Sequence, residues 1–440
     1  MRGRRTAAAA TTSNRVGGRP KPAKLAVDEI TSLEPAATEA EAPAASGVAA
    51  PVVAKTTKRL LVVLLRYKDE LRVPHSAAFY RALINPLTGN DALAIPATVN
   101  GYYDKVAWGR IGFAADIAGA GGQGAPSGWF VLPHSRATYG NDIDAIADDA
   151  MALVAAARID VSGYDSLSFI TSNDFGTSAK GGNYEYAGKV YGATWIPPWA
   201  QEAETYVHEL GHSLGLPHSG WVYHAYDNPW DDMSLGSAAK EVVCGWYYSA
   251  MNDRERTDIR CKEPGGGFIT MHKAYKGWLP AANIATIDAV GQTTVVLEAN
   301  ALPLGTAKKM VKICLAGYAC TGSTARYFTV EARIRAAKYE MGLPGEGVII
   351  NDIKMNRSPI GSGNACYYNT QSGWALPIDA TPGDYDGYYC DYGDRQKPNY
   401  GLYNAQFKVG KSFVSNSKGI KVEVLSRTTT TFTVRITRSL

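Results

Sequence analysis

Residues 208–218 read His208-Glu209-Leu210-Gly211-His212-Ser213-Leu214-Gly215-Leu216-Pro217-His218. Two histidines four apart project from one side of a helix, about one turn from each other. Both imidazoles can then reach a single Zn²⁺ at ~2.0–2.1 Å. Glu209 follows the first histidine, roughly 100° further round the helix, where its carboxylate can reach a water on the metal. Gly215, three residues past His212, can take a positive φ and turn the chain sharply. That turn returns His218 as a third ligand, and Pro217 keeps the residue before it extended. Three protein ligands leave a fourth position for water, the pattern of a catalytic rather than a structural zinc site. The chemistry expected is hydrolysis. Zinc acidifies the water and polarises a carbonyl, while Glu209 acts as general base and then returns the proton to the leaving amine. Three of the chain's seven histidines fall in this stretch, which separates it from a scatter of surface histidines.

These residues need a helix that is buried on its other side. Ala203, Val207, Leu210 and Leu214 are spaced 4, 3 and 4 apart and give that stripe. Pro197-Pro198 is expected to end a preceding strand, Lys189 to Ile196, itself broken by Gly192, and to open the helix, with Gly215 ending it. Upstream, the run from Leu60 to Leu65 reads as a buried strand. Asn141 to Arg158 reads as a helix with Ile143, Ile146, Ala150, Leu153 and Val154 on one face. Leu167 to Thr171 reads as a strand. Beyond about residue 285 the pattern changes to short β-type runs separated by turn residues: 293–297, 310–315, 327–335, 347–353, 421–425 and 431–436.

The chain has 440 residues, enough for two domains, and 45% hydrophobic residues, enough for globular cores. A net charge of +4 is too small over this length to imply a nucleic-acid partner. No apolar run approaches the length of a membrane span. Six cysteines, none in a Cys-x-x-Cys pair, point to disulfides and an oxidising compartment, so secretion is expected. Pairing of sequence neighbours gives 244–261, 314–320 and 366–390 as the simplest of fifteen connectivities. Residues 1–27 carry seven Lys/Arg and no acid, and 28–54 are acidic and rich in Ala and Pro. Residues 1–57 therefore read as a disordered segment or propeptide that the fold does not need.

The histidine stretch resembles the elongated zinc signature of the metzincin peptidases. Residues 226–234 (YDNPWDDMS) resemble the methionine turn of that clan, which implies that Met233 forms the floor of the zinc site, in a packing role. Residues 101–113 (GYYDKVAWGRIGF), 276–279 (KGWL), 327–333 (YFTVEAR) and 342–350 (GLPGEGVII) are similar to the gametolysin-like and immune-inhibitor-A-like branch. The resemblance covers roughly residues 58–440. It implies an α+β fold: a metzincin-like catalytic domain over 58–285, with a twisted sheet and an active-site helix, then a β-rich, sandwich-like domain over 286–440. The implied function is a zinc-dependent endopeptidase acting on extracellular or cell-wall proteins. Its polypeptide substrate would lie extended and antiparallel to an edge strand, for which Lys189 to Ile196, around Gly192, is the candidate. Two features depart from clan relatives. Leu235 stands where some carry a tyrosine as fifth ligand, and no cysteine precedes Cys244, which excludes thiolate capping of the zinc by residues 1–57. Asp28, Glu29 or Glu34 could cap it instead, and nothing selects one.

Weaker signals complete the reading. Asp379, Asp384, Asp386, Asp391 and Asp394 could form a Ca²⁺ site, with a solvated acidic loop as the plainer interpretation. His224 could line the cleft or be a solvated loop residue. Met251 is the rival to Met233. His75, His134 and His272 receive no role. Two other functions fit the same residues: a zinc amidase on a non-protein amide, which a panel of small amides would separate from a peptidase, and an adhesin with a vestigial zinc site, against which the complete set of ligands and Glu209 argues.

Overall fold

Leu60 to Leu65 occupy the middle of strand β1 (Thr56–Arg66), and all six side chains are buried. Successive strand residues point to opposite faces. Leu60, Val62 and Leu64 enter one core cluster, and Leu61, Val63 and Leu65 enter another. A strand covered on both faces must be apolar at every position, which accounts for the unbroken run. The computed structural model describes residues 55–119, 127–220, 226–234, 236, 238–357, 373–381 and 402–440. The expectations for residues 1–54, His224, Leu235, the pair Cys366–Cys390 and four of the five aspartates, Asp379 excepted, lie outside the described residues.

Around β1 runs a six-stranded sheet that includes β2 (Ile111–Ile117), β3 (Trp129–Val131), β4 (Ser166–Thr171), β5 (Lys180–Tyr186) and β6 (Lys189–Ile196). Its order is β2-β1-β4-β6-β5, with β3 also paired to β1. All pairings are parallel except β5 with β6. Helices α1 (Ala77–Ile84), α2 (Val99–Val106) and α5 (Ala203–Ser213) cover one face, through Phe79, Tyr80, Tyr102, Tyr103, Val207 and Leu210. Helix α4 (Ile143–Ala156) covers the other; α3 (Arg136–Tyr139) is the single turn before it. The fully buried stripe of α4 is Ile146, Ala147, Ala150, Met151 and Val154, so Ile143 and Leu153 sit at its margin.

A hairpin of β7 (Lys240–Ser249) and β8 (Glu255–Glu263) follows, closed by Cys244–Cys261, and leads to α6 (Thr270–Tyr275). Among the described residues that follow, the structure is mainly β, in two sheets. One is β14 (Ala375–Pro377), β13 (Gly347–Lys354), β12 (Arg326–Arg333), β11 (Met310–Cys314) and β9 (Ile284–Ile287), in that order. The other is β10 (Gly291–Glu298), β17 (Thr431–Arg438), β16 (Ile420–Arg427) and β15 (Ser412–Ser415). Both sheets send side chains into one core, among them Val311, Val330, Ile350, Phe413, Val434 and Ile436, as in a sandwich. Cys314 and Cys320 form the second disulfide. The molecule is thus mixed α and β with separate sheets. Among the described residues no helix is long and apolar enough to cross a membrane.

Two local expectations are corrected. Lys189–Ile196 is not an edge strand, since β6 lies between β4 and β5; the edge is β5. Its sequence, KGGNYEY, carries no apolar alternation because only Tyr184 on it is buried. Gly192 does not interrupt β6 either. A Cβ there would meet Ser166 Oγ and the Ser213 carbonyl at 2.9 Å, so its absence lets the end of α5 pack closely. The second correction concerns the start of α5. Pro198 begins a separate 3₁₀ turn (Pro198–Ala200), and α5 starts at Ala203. Glu202 caps it, accepting from the backbone N–H groups of Glu204 and Thr205, both at 2.7 Å.

Candidate metal centre

Helix α5 lies across the sheet with Ala203, Tyr206, Val207 and Leu210 buried. That orientation leaves His208 and His212 together on the opposite side, their rings 4.8 Å apart. The helix then ends by hydrogen-bond geometry. Gly215 has φ +82°, its N–H donates to His212 O at 2.8 Å, and Leu216 N–H donates to Gly211 O at 2.9 Å. This is the paired closure that a left-handed residue permits, and only glycine takes that conformation without strain. Leu216 is buried by the turn, and two residues later His218 faces the helix.

The three imidazoles converge. His208 Nε2 lies 3.1 Å from His212 Nε2 and 3.2 Å from His218 Nε2, and the last two are 3.2 Å apart. Ring tautomers follow from what the other nitrogens touch. His208 Nδ1 lies 2.7 Å from the Asp232 carbonyl, and His212 Nδ1 lies 2.8 Å from the Leu216 carbonyl. A carbonyl only accepts, so each Nδ1 carries the hydrogen and each Nε2 presents a lone pair inward. Burial lowers the pKa of all three rings, His212 to about 3, so they stay neutral. Three neutral imidazole nitrogens at this spacing form a group that could hold one metal ion.

Glu209 is buried, and burial pushes its carboxyl up to about 8, with Lys180 opposing the shift. A divalent cation beside it would draw that value down again. Strand β5 passes close by: a Cβ on Gly181 would fall 2.1 Å from Glu209 O. The site therefore adjoins the true edge of the sheet.

Met233 is fully buried beneath α5, and a Cβ on Gly211 would lie 2.2 Å from its Sδ. The sulfur thus occupies the space that a side chain at 211 would need. Met251 is an exposed residue in the β7–β8 turn. His272 is buried against Asp231, Nδ1 to Oδ2 3.1 Å, and His75 stacks on Phe79. Asp379 accepts from Thr381 N–H at 3.0 Å.

Three contributions escaped the sequence reading. Tyr226 lies with its ring centroid 4.9 Å from that of His218 and 5.9 Å from that of His208, on a backbone with φ +60°. A positive φ on a tyrosine beside the histidine group was the one signal, and sequence does not display it. The other two are the Asp232 and Leu216 carbonyls, which any residue type could supply. Neither a protein-family model nor a curated protein matches this chain.

Proposed function

We propose that the chain is a secreted zinc-dependent endopeptidase, with His208, His212 and His218 as ligands and Glu209 as general base. The observation that carries this reading is the convergence of three Nε2 atoms at 3.1–3.2 Å, two of them fixed as bare nitrogens by carbonyls behind the rings. Closed structural zinc sites have four protein ligands, and among the described residues this group has three. Bound zinc would supply Lewis acidity, polarising a carbonyl and acidifying water. Glu209, one residue from the first ligand, takes a proton from the attacking water and delivers it to the departing amine. Burial alone raises the carboxyl, and a divalent cation beside it would draw it back to the ionised form that can take the proton. Met233 supports the ligands from below, and β5 offers backbone groups along which an extended peptide can lie. The two disulfides suit an oxidising compartment and thus the secreted location.

The test uses purified full-length chain. Elemental analysis should find about one zinc per chain, and the protein should digest casein but not a panel of small non-peptide amides. Chelator should abolish the digestion and added zinc restore it. Active protein without zinc, or turnover of the amides alone, would overturn the proposal.

A further inference from the structure

The loop at 227–234 has two sides. Toward α5 it gives the Asp232 carbonyl to His208 and the Met233 side chain to the gap beside Gly211. Away from α5 it is anchored in the C-terminal sandwich. Trp230, fully enclosed, packs with Leu343, Ile349, Leu376, Leu402 and Ala405. All five belong to the C-terminal sheet unit. The Trp230 indole N–H donates to Leu402 O at 2.7 Å, and the Trp230 carbonyl accepts from Arg333 Nη1 at 2.6 Å.

Arg333 stands at the end of β12 with no solvent exposure. Its Nε reaches Glu340 at 3.1 Å, Nη1 also faces Glu331 at 3.4 Å, and Nη2 donates to Gly266 O. Gly266 N–H in turn donates to Asp232 Oδ1 at 3.0 Å, and Asp232 N–H to Gly267 O at 2.8 Å. One guanidinium fork therefore fixes both strands of backbone that hold Asp232. The third ligand is gripped from the same unit. Gly220 N–H donates to Ala375 O of β14 at 3.0 Å, and Gly373 sits so close that a Cβ would fall 2.1 Å from His218 O.

We infer that the C-terminal sandwich is the seat of the metal centre, with Arg333 and Trp230 as positioning residues that act on the metal through the Asp232 carbonyl and His208. The inference rests on reading the three histidines as metal ligands. Neither residue faces the ion. Each holds the backbone that sets the tautomer and direction of a ligand, a role whose loss weakens metal binding about 10- to 100-fold. A lysine at 333 keeps the charge but cannot span the carboxylates and two carbonyls that a planar fork reaches.

Linkage makes the inference testable without altering the chain. If the sandwich supports zinc binding, zinc must stabilise the sandwich contacts in return. Hydrogen exchange of the wild-type protein, zinc-loaded against metal-free, should slow at 203–220, at Asp232 and Gly266, and along β12 and β13. Zinc uptake with protection confined to 203–220 would overturn this inference and leave the metal reading intact. No uptake at all would overturn both. Arg333→Lys and Trp230→Phe in the full chain should weaken zinc binding at least tenfold in a chelator competition. Val434→Ala, in the sandwich core away from the loop, should lower the melting temperature and leave zinc affinity unchanged. Wild-type zinc affinity in folded Arg333→Lys and Trp230→Phe would refute the positioning role. Should a variant not fold, the wild-type exchange pattern decides alone.

Discussion

Gly211→Ala separates helix propensity from the floor of the site. Gly211 has ordinary helical neighbours, so alanine there should stabilise α5 by up to about 1 kcal/mol. The new methyl group, however, would start 2.2 Å from Met233 Sδ, 3.1 Å from its Cε and 3.7 Å from Tyr103 Oη. Ordinary contact needs about 3.5–4.0 Å, so the sulfur must retreat by roughly 1.5 Å. Met233 is fully buried, which leaves it no solvent to swing into. Overpacking of that kind costs about 1–3 kcal/mol, for a net loss of about 0–2 kcal/mol. The larger effect should fall on the metal. Met233 is bonded directly to Asp232, whose carbonyl orients His208 at 2.7 Å. Displacing that carbonyl should weaken zinc about tenfold or more. Urea melts of the metal-free protein give the first quantity and chelator competition the second. A variant more stable by about 1 kcal/mol with unchanged zinc affinity would show that Met233 moves freely, and the floor argument would fail.

Other outcomes follow from the same geometry. Glu209→Gln should keep zinc and fold yet lose about 10²–10⁴-fold in turnover, whereas His212→Ala should lose the zinc itself; equal zinc loss in both would contradict their separate roles. Gly181→Ala places a Cβ 2.1 Å from Glu209 O, backbone that cannot swing aside, while Gly182→Ala meets nothing within 4 Å. The first should depress zinc affinity and activity and the second neither, as titration and casein assay would show. His75 is held neutral by burial, with its pKa lowered to about 4. The unfolded chain binds that proton near pH 6.5, so the stability is full above 6.5 and is lost as pH falls toward 4, by up to about 3 kcal/mol. His75→Phe should flatten that part of the melting-against-pH curve relative to wild type, and an unchanged slope would rule His75 out as its source.

What was legible in the sequence was what one element decides by itself. The unbroken run at 60–65 read as a buried strand, and it is one, covered on both faces; the 4, 3, 4 spacing after Ala203 gave a helix with one side buried. Strand β5 was missed because an edge strand with one buried side chain has no need of alternation. Its two glycines carry no strand signal, yet Gly181 is required by the approach of α5. The start of α5 was misplaced because Pro-Pro is the stronger local signal, whereas the actual cap is a buried glutamate. Burial, and then the neighbouring Glu204, push the Glu202 carboxyl up to about 7. A glutamate is a poor cap in isolation and works here because the fold encloses it.

The two histidines that α5 contributes to the group divide along the same line. A helix consumes its own carbonyls, so each ring must find an acceptor beyond it. His212 finds one four residues on, at Leu216, because the Gly215 turn carries that carbonyl back under the ring. His208 finds Asp232, twenty-four residues away, and Asp232 is held by Gly266 and Gly267 in the loop before α6, which Arg333 of β12 reaches in turn. Gly215→Ala should therefore act on one ring only. Nothing lies within 4 Å of a Cβ there, so the cost is the positive φ alone, about 1–2 kcal/mol. The Nδ1–H resonance of His212 should shift or broaden while that of His208 holds its position. Trp230→Phe should give the opposite pattern. If either variant disturbs both resonances equally, the two supports are one mechanical unit, and the division into a local and a remote half is wrong.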